Sequence, residues 1–243
     1  MKKGYLFASV IFLLVALSGF NSPINRSAIV TEQPGKPSPF EISSGLKQAL
    51  ELGTTKSADQ LSQVDGFFGN AAIKILFPPQ AQKVEKTLRK FGFNTLCDNV
   101  ILSLNRAAED AAKQAKPIFI SAIKKMSLKD VTNILLGSQD AATQYFKQTT
   151  TGPLTASFKP VIQNSLNKTG ATRYYGDAAN QYNQVPFVRK VNPDISGYVT
   201  QKAIDGLFYQ IALEELNIRK NIGARSTPLL QKIFAFADKN QKL

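Results

Sequence analysis

Residues 94–126 read NTLCDNVILSLNRAAEDAAKQAKPIFISAIKKM. Apolar residues recur at Leu96, Cys97, Val100, Ile101, Leu104, Ala108, Ala111, Ala115, Ile118, Phe119, Ala122 and Met126. Three-and-four spacing sustained over that length is one face of an α-helix. Pro117 has no N–H to give and crowds the preceding turn, so it should kink or divide the helix. Ala107, Ala108, Ala111, Ala112 and Ala115 add a small-residue face on which another helix can pack closely. The stretch predicts an all-α fold with a long central helix kinked near Pro117.

Upstream, Ser43 or Ser44 can cap a first helix carrying Leu46, Leu50, Ala58 and Leu61, which Asp65-Gly66 breaks. Phe67, Phe68, Ile73, Ile75 and Phe77 form an apolar connector, and Pro78-Pro79 opens a helix that Gly92 ends. Downstream, Ser127-Leu-Lys-Asp130 has the serine and first-turn acid of a helix start, and Gly137 closes that helix. A further helix begins near Ser138, and Gly152-Pro153 starts another through Phe158, Val161, Ile162 and Leu166. Gly170 to Asn192, with Tyr174, Tyr175, Tyr182 and Phe187, reads as a short helix and a long loop. A long helix from about Asp194 to Asn221 and a terminal helix capped by Thr227-Pro228 complete the chain. Strand alternation is nearly absent. The sum is a single-domain bundle of about seven to nine helices over residues 41–243.

The N-terminus has a different character. Lys2 and Lys3 precede an apolar run from Tyr5 to Leu17, and Ala16-Leu17-Ser18 offers small residues for cleavage. This is the layout of a secretory signal peptide over residues 1–18. The run falls short of the about 20 residues that span a bilayer. Leu17-Ser18-Gly19 is followed by Phe20 rather than cysteine, so no lipid anchor is expected. Residues 19–40, with Pro23, Pro34, Pro37 and Pro39, read as a flexible tether. The mature protein is expected in the periplasm or outside the cell, without a transmembrane span once the signal is removed.

The chain has 243 residues, one cysteine and no histidine. Cys97 alone allows no intrachain disulfide and sits on the helical stripe as a core thiol. The absence of histidine removes Ser-His-Asp and Cys-His catalysis and His-ligated metals. No metal site or cofactor is indicated, and the common glycine-rich nucleotide loops are missing. Net charge is +13, or +11 without Lys2 and Lys3, which favours anionic envelope surfaces as partners. The lysines are spread out, and no aromatic-basic repeat points to nucleic acid.

Three groups could carry chemistry. The first is a penicillin-binding type of triplet, Ser44-x-x-Lys47, Ser103-x-Asn105 and Lys168-Thr-Gly170. A KTG must lie on a strand and this one has no strand signal. A second SxxK at Ser121 and a second SxN at Ser165 show how readily such triplets arise. The second group is Asn105, Arg106 and Glu109. Either it is a solvated face with Arg106 paired to Asp110 at i+4, or a second helix covers it and its polar groups are buried. The third lies in the long helix near the end, where Glu214 falls on the apolar stripe and Glu215 at its margin, with Arg219 four residues on. A carboxylate on a core stripe needs a partner. Either these residues form a structural network, or Glu214 and Glu215 line an internal polar site with Arg106 or Arg219 as counter-charge. In that case Asp65, Glu109, Glu214 and Glu215 would converge on a cavity.

Five ordered stretches also resemble one known family. They are Gly45-Leu-Lys-Gln-Ala-Leu50 with Gly53; Val64-Asp-Gly-Phe-Phe68; Asn105-Arg-Ala-Ala-Glu109; Ala141-Ala-Thr143 with Tyr145-Phe146; and Ile204-Asp-Gly-Leu-Phe208 with Glu214-Glu215 and Ile218-Arg219. They resemble the bacterial exported family catalogued as domain of unknown function 4197, over about Ser44 to Phe234. The resemblance implies an envelope location and one helical domain, and it brings no activity. The reading favours a non-catalytic role in binding a ligand or envelope component. The alternatives are a carboxylate-based hydrolase or lyase around Glu109, Glu214 and Glu215, and a basic protein that associates with anionic envelope surfaces.

Overall fold

Two capping boxes mark helix starts in the computed structural model, which describes residues 36–184, 187 and 190–240. Ser38 accepts from the Glu41 N–H while Glu41 returns a bond to the Ser38 N–H, with Pro39 in the first turn. α1 (Pro39–Leu61) therefore begins ahead of Ser43 and Ser44, inside the stretch read as tether. Ser127 and Asp130 make the second box, at α5 (Leu128–Leu135), as the sequence indicates. The signal segment, and the tether up to residue 35, lie outside the described residues.

The other helices are α2 (Gln82–Lys90), α3 (Asn94–Ala112), α4 (Ala115–Lys125), α6 (Ala141–Lys168), α7 (Ala171–Asn183), α8 (Ile195–Lys220) and α9 (Pro228–Asn240). A short 3-10 turn precedes α2 and another follows α8. Among the described residues there are nine α-helices and no strand, in one compact domain.

The long helix expected over 94–126 is two helices. The break falls at Lys113 and Gln114, and Pro117 occupies the third position of α4. In that turn a missing N–H costs little, because the first N–H groups of any helix lack intrahelical partners. The reverse happens at Gly152-Pro153, where a new helix was expected and α6 runs unbroken with Pro153 and Pro160 inside it. Both prolines are exposed, while Phe146, Thr150, Leu154, Phe158, Ile162 and Leu166 form a buried stripe on the other side. Tertiary packing of that stripe outweighs the local loss at proline.

α3 packs against both α6 and α8. Ala107, Ala108, Ala111, Ala112 and Ala115 have no exposed surface, so the small-residue face is the close-packed centre of the domain. Phe119 meets Phe146 and Phe208 edge-on, with ring centroids 5.2 and 6.5 Å apart. α1 lies across α8, α4, α9 and α5. On the far side of α3, Tyr175 of α7 is 6% exposed. Burial pushes its hydroxyl from 10.0 up to about 12. The unfolded chain ionises this group first as pH rises, so its contribution is whole below pH 10 and lost by about pH 12. Melts between these values should show a smaller alkaline loss for Tyr175→Phe than for the wild type.

Candidate functional site

In the connector between α1 and α2 the Phe67, Phe68 and Ile75 N–H groups have no backbone acceptor among the described residues, so they need partners elsewhere. α3 supplies them. The Asn105 side chain accepts from the Ile75 N–H and donates to the Ile75 carbonyl, both at 2.8 Å, and so stands in for a neighbouring strand. It also donates to the Ile101 carbonyl of its own helix. Glu109 Oε1 accepts from the Phe67 and Phe68 N–H groups at 3.1 and 3.2 Å. Its Oε2 binds Arg106 at 2.6 Å, and Arg106 reaches Asp65 at 2.8 Å. The hydrogen bond that Arg106 donates to Glu109, with the one to Asp65 behind it, holds its guanidinium above the ordinary value. Asp65 has φ 66° and turns the chain tightly after α1. At Gly66 a Cβ would lie 2.6 Å from the carbonyl oxygens of Gln60 and Leu61, so only glycine lets the turn close there.

Asn105 and Glu109 are therefore buried and positioned, but the element that covers them is the connector and not a second helix. The pairing of Arg106 with Asp110 is corrected. Arg106 turns to the connector, while Asp110 binds Lys113 and the Ser165 hydroxyl of α6. Arg106 instead takes Glu109 at i+3 on its own helix and Asp65 from the connector, two carboxylates that hold it away from Asp110.

A second cluster closes the corner between α5 and α6. Glu215 of α8 accepts from the Ala142 and Thr143 N–H groups and from the Thr143 hydroxyl, at 2.8–2.9 Å. It is the N-terminal cap of α6, supplied from another helix. Arg219 binds Glu215 Oε1 at 2.9–3.0 Å and donates to the Ile134 and Leu135 carbonyls at the end of α5. Both side chains are 8% exposed. One ion pair thus satisfies the negative end of one helix and the positive end of the next.

Glu214 points elsewhere. It binds Lys56 of α1 at 2.9 Å, where the Lys56 side chain is 61% exposed. Because Lys56 keeps much of its water, Glu214→Gln should cost only about 1 kcal/mol, seen as roughly a 2–4 °C drop in Tm. A drop several times larger in thermal melts would mean that Lys56 is not its main partner.

No hydrogen bond or ion pair joins these three groups among the described residues. Asp65, Asn105, Arg106 and Glu109 gather at the connector, Glu215 and Arg219 at the α5–α6 corner, and Glu214 at α1. The cavity that Glu215 and Arg219 border, between α1 and α8, is about 30 Å³ and apolar, room for a water and little more. Among the described residues no group of three or more metal-ligating side chains comes together. The penicillin-binding type of triplet is also accounted for. Lys47 donates to the Met126 carbonyl, Ser103 to the Asn99 carbonyl of its own helix, and Lys168 to Gly170 lie at the end of α6 rather than on a strand.

Sequence reasoning missed two features. Arg225 is buried, binds Asp238 and donates to the Ile218 and Arg219 carbonyls at the end of α8. It lies in a loop, where no periodic signal exists. The second is an open cleft of about 400 Å³ between the connector and α8. Lys74, Gln82, Tyr198, Lys202, Asp205 and Tyr209 line it. Lys74 lies 3.7 Å from the centre of the Phe68 ring, and Lys202 approaches Asp205 only to 3.8 Å. The polar ends of Gln82, Tyr198 and Tyr209 have no hydrogen-bond partner among the described residues.

Among the described residues no helix is long and apolar enough to cross a membrane. No curated protein and no solved structure matches the chain significantly. The family model described as "Protein of unknown function (DUF4197)" matches residues 36–235, and the chain belongs to that family.

Proposed function

We propose that the chain is an exported, non-catalytic binding protein of the cell envelope, and that it holds a carboxylated saccharide in the cleft between the connector and α8. The cleft carries this reading. Two tyrosines offer apolar faces with hydroxyl ends, which suits the mixed surface of a sugar ring. Lys74 and Lys202 offer charge for a carboxylate, and Gln82 and Asp205 offer partners for hydroxyls.

The engaged carboxylates support the non-catalytic side of the reading. Both oxygens of Glu109 and of Glu215 are bound to N–H or O–H donors, and Glu214 is paired with Lys56. A general base needs a lone pair within reach of substrate. Glu109 holds the connector in place and Glu215 the α5–α6 corner. Export rests on the Lys2 to Ser18 layout.

Calorimetric titration with a soluble N-acetylglucosamine–N-acetylmuramic acid disaccharide tests the cleft. The carboxylated sugar should bind, and its neutral counterpart should bind about tenfold more weakly or worse. Tyr209→Ala and Lys202→Gln should each weaken binding with unchanged melting temperature. Equal affinity in both variants, or no binding, would remove the cleft as the site.

A further inference from the structure

α2 has no fully buried residue. Lys83, Lys86 and Lys90 recur at spacings of three and four, are exposed, and have no ion-pair partner among the described residues. Arg89 differs, since Glu85 and Asp98 hold it on both sides. The two nearest acidic groups are thus neutralised, and the three lysines stand uncompensated.

The turn out of α2 is a Schellman motif. The Phe93 N–H donates to the Leu88 carbonyl at 3.0 Å and the Gly92 N–H to the Arg89 carbonyl at 3.1 Å, with Gly92 at φ 87°. The apolar residue after such a glycine commonly packs back on its helix. Here Phe93 is 52% exposed, and Phe91, on the other side of the glycine, is 77% exposed. Two phenyl rings are therefore exposed at a tight turn that follows a row of unpaired lysines.

Phe91 and Phe93 thus put apolar surface into solvent next to positive charge. This pairing matches a layer where negative charge lies just above hydrocarbon, because lysines can meet phosphates while short apolar side chains reach the acyl boundary. We propose that the α2–α3 tip docks on an anionic phospholipid bilayer, with Phe91 and Phe93 inserted and Lys83, Lys86 and Lys90 on the headgroups. Either element alone gives weak attachment, and the pair supplies the two signals that stable association needs. This surface is separate from the saccharide reading of the cleft and does not depend on it.

The chain has no tryptophan, so Phe91→Trp in the full chain places one fluorophore at the tip. Vesicles of phosphatidylglycerol and phosphatidylcholine should shift its emission to the blue, and brominated lipid should quench it. Vesicles of phosphatidylcholine alone should do neither at physiological ionic strength. Adding Lys83→Gln, Lys86→Gln and Lys90→Gln should weaken partitioning by about 100-fold, at roughly a factor of five per charge near the surface. A control with Leu128→Trp, at a position 61% exposed at the start of α5, should not shift. No shift at position 91 on anionic vesicles would overturn the proposal. So would an equal shift on neutral vesicles, or an equal shift at position 128.

Discussion

Glu215→Ala is expected to destabilise the domain by about 3–5 kcal/mol, the cost of leaving one member of a buried ion pair alone. For a chain of this size that corresponds to a fall in Tm of roughly 6–20 °C. The loss has two sources. Arg219 stays 8% exposed without its carboxylate. The Ala142 and Thr143 N–H groups lose their acceptor at the start of α6. The sources can be separated. A buried ion pair replaced on both sides by apolar residues often costs nothing. Glu215→Leu with Arg219→Met should nevertheless remain destabilised by about 2 kcal/mol or more, because the backbone ends of α5 and α6 stay unsatisfied. Chemical denaturation of the single and double variants decides the matter. A double variant with wild-type stability would show that the pair, and not the capping, was at stake.

The second large effect is expected at Glu109→Ala, at about 3–4 kcal/mol. Removal of the carboxylate orphans the Phe67 and Phe68 N–H groups and frees Arg106. Phe67 is fully buried, so the connector cannot simply turn its amides to water. The change should appear locally. Hydrogen exchange at the Phe67 and Phe68 amides should accelerate, and limited proteolysis should cut within residues 62–78. Asp65→Asn should have little effect, since Asp65 is 56% exposed and Arg106 retains Glu109. Intact protection in Glu109→Ala would mean that side-chain packing alone holds the connector.

Some of this was legible in the residues. The period of 94–126 identified helix there, though as one long helix rather than two, and the face of alanines located its closest packing. A helix start such as Ser127 to Asp130 is written locally, so it was legible too. Ser38-Pro39-Phe40-Glu41 carries the same signal, but Pro39, following Pro34 and Pro37, reads as tether. At Pro153 the local signal was correct in kind and lost to a buried stripe that no short window contains. The candidate site divided in the same way. That Glu214 sits on the apolar stripe and Glu215 at its margin follows from helical geometry, whereas Glu109 could be read as solvated or as buried. For Glu109 and Glu215 the partners include backbone N–H groups, and these have no sequence signature. The stretches that resemble the family hold both halves of two contacts: Phe67 and Phe68 with Glu109, and Ala142 and Thr143 with Glu215.

The α5–α6 corner also fixes an order of events. Glu215 lies 72 and 73 positions beyond the N–H groups that it caps, and Arg219 lies 84 and 85 beyond the carbonyls that it meets. Contacts at such separation form late, because a long loop must close before they yield any return. While the chain is being made, α5 and α6 emerge with their facing ends open and stay so until α8 has been synthesised. A nascent chain that stops short of residue 215 should therefore remain protease-sensitive at this corner, however well its separate helices form.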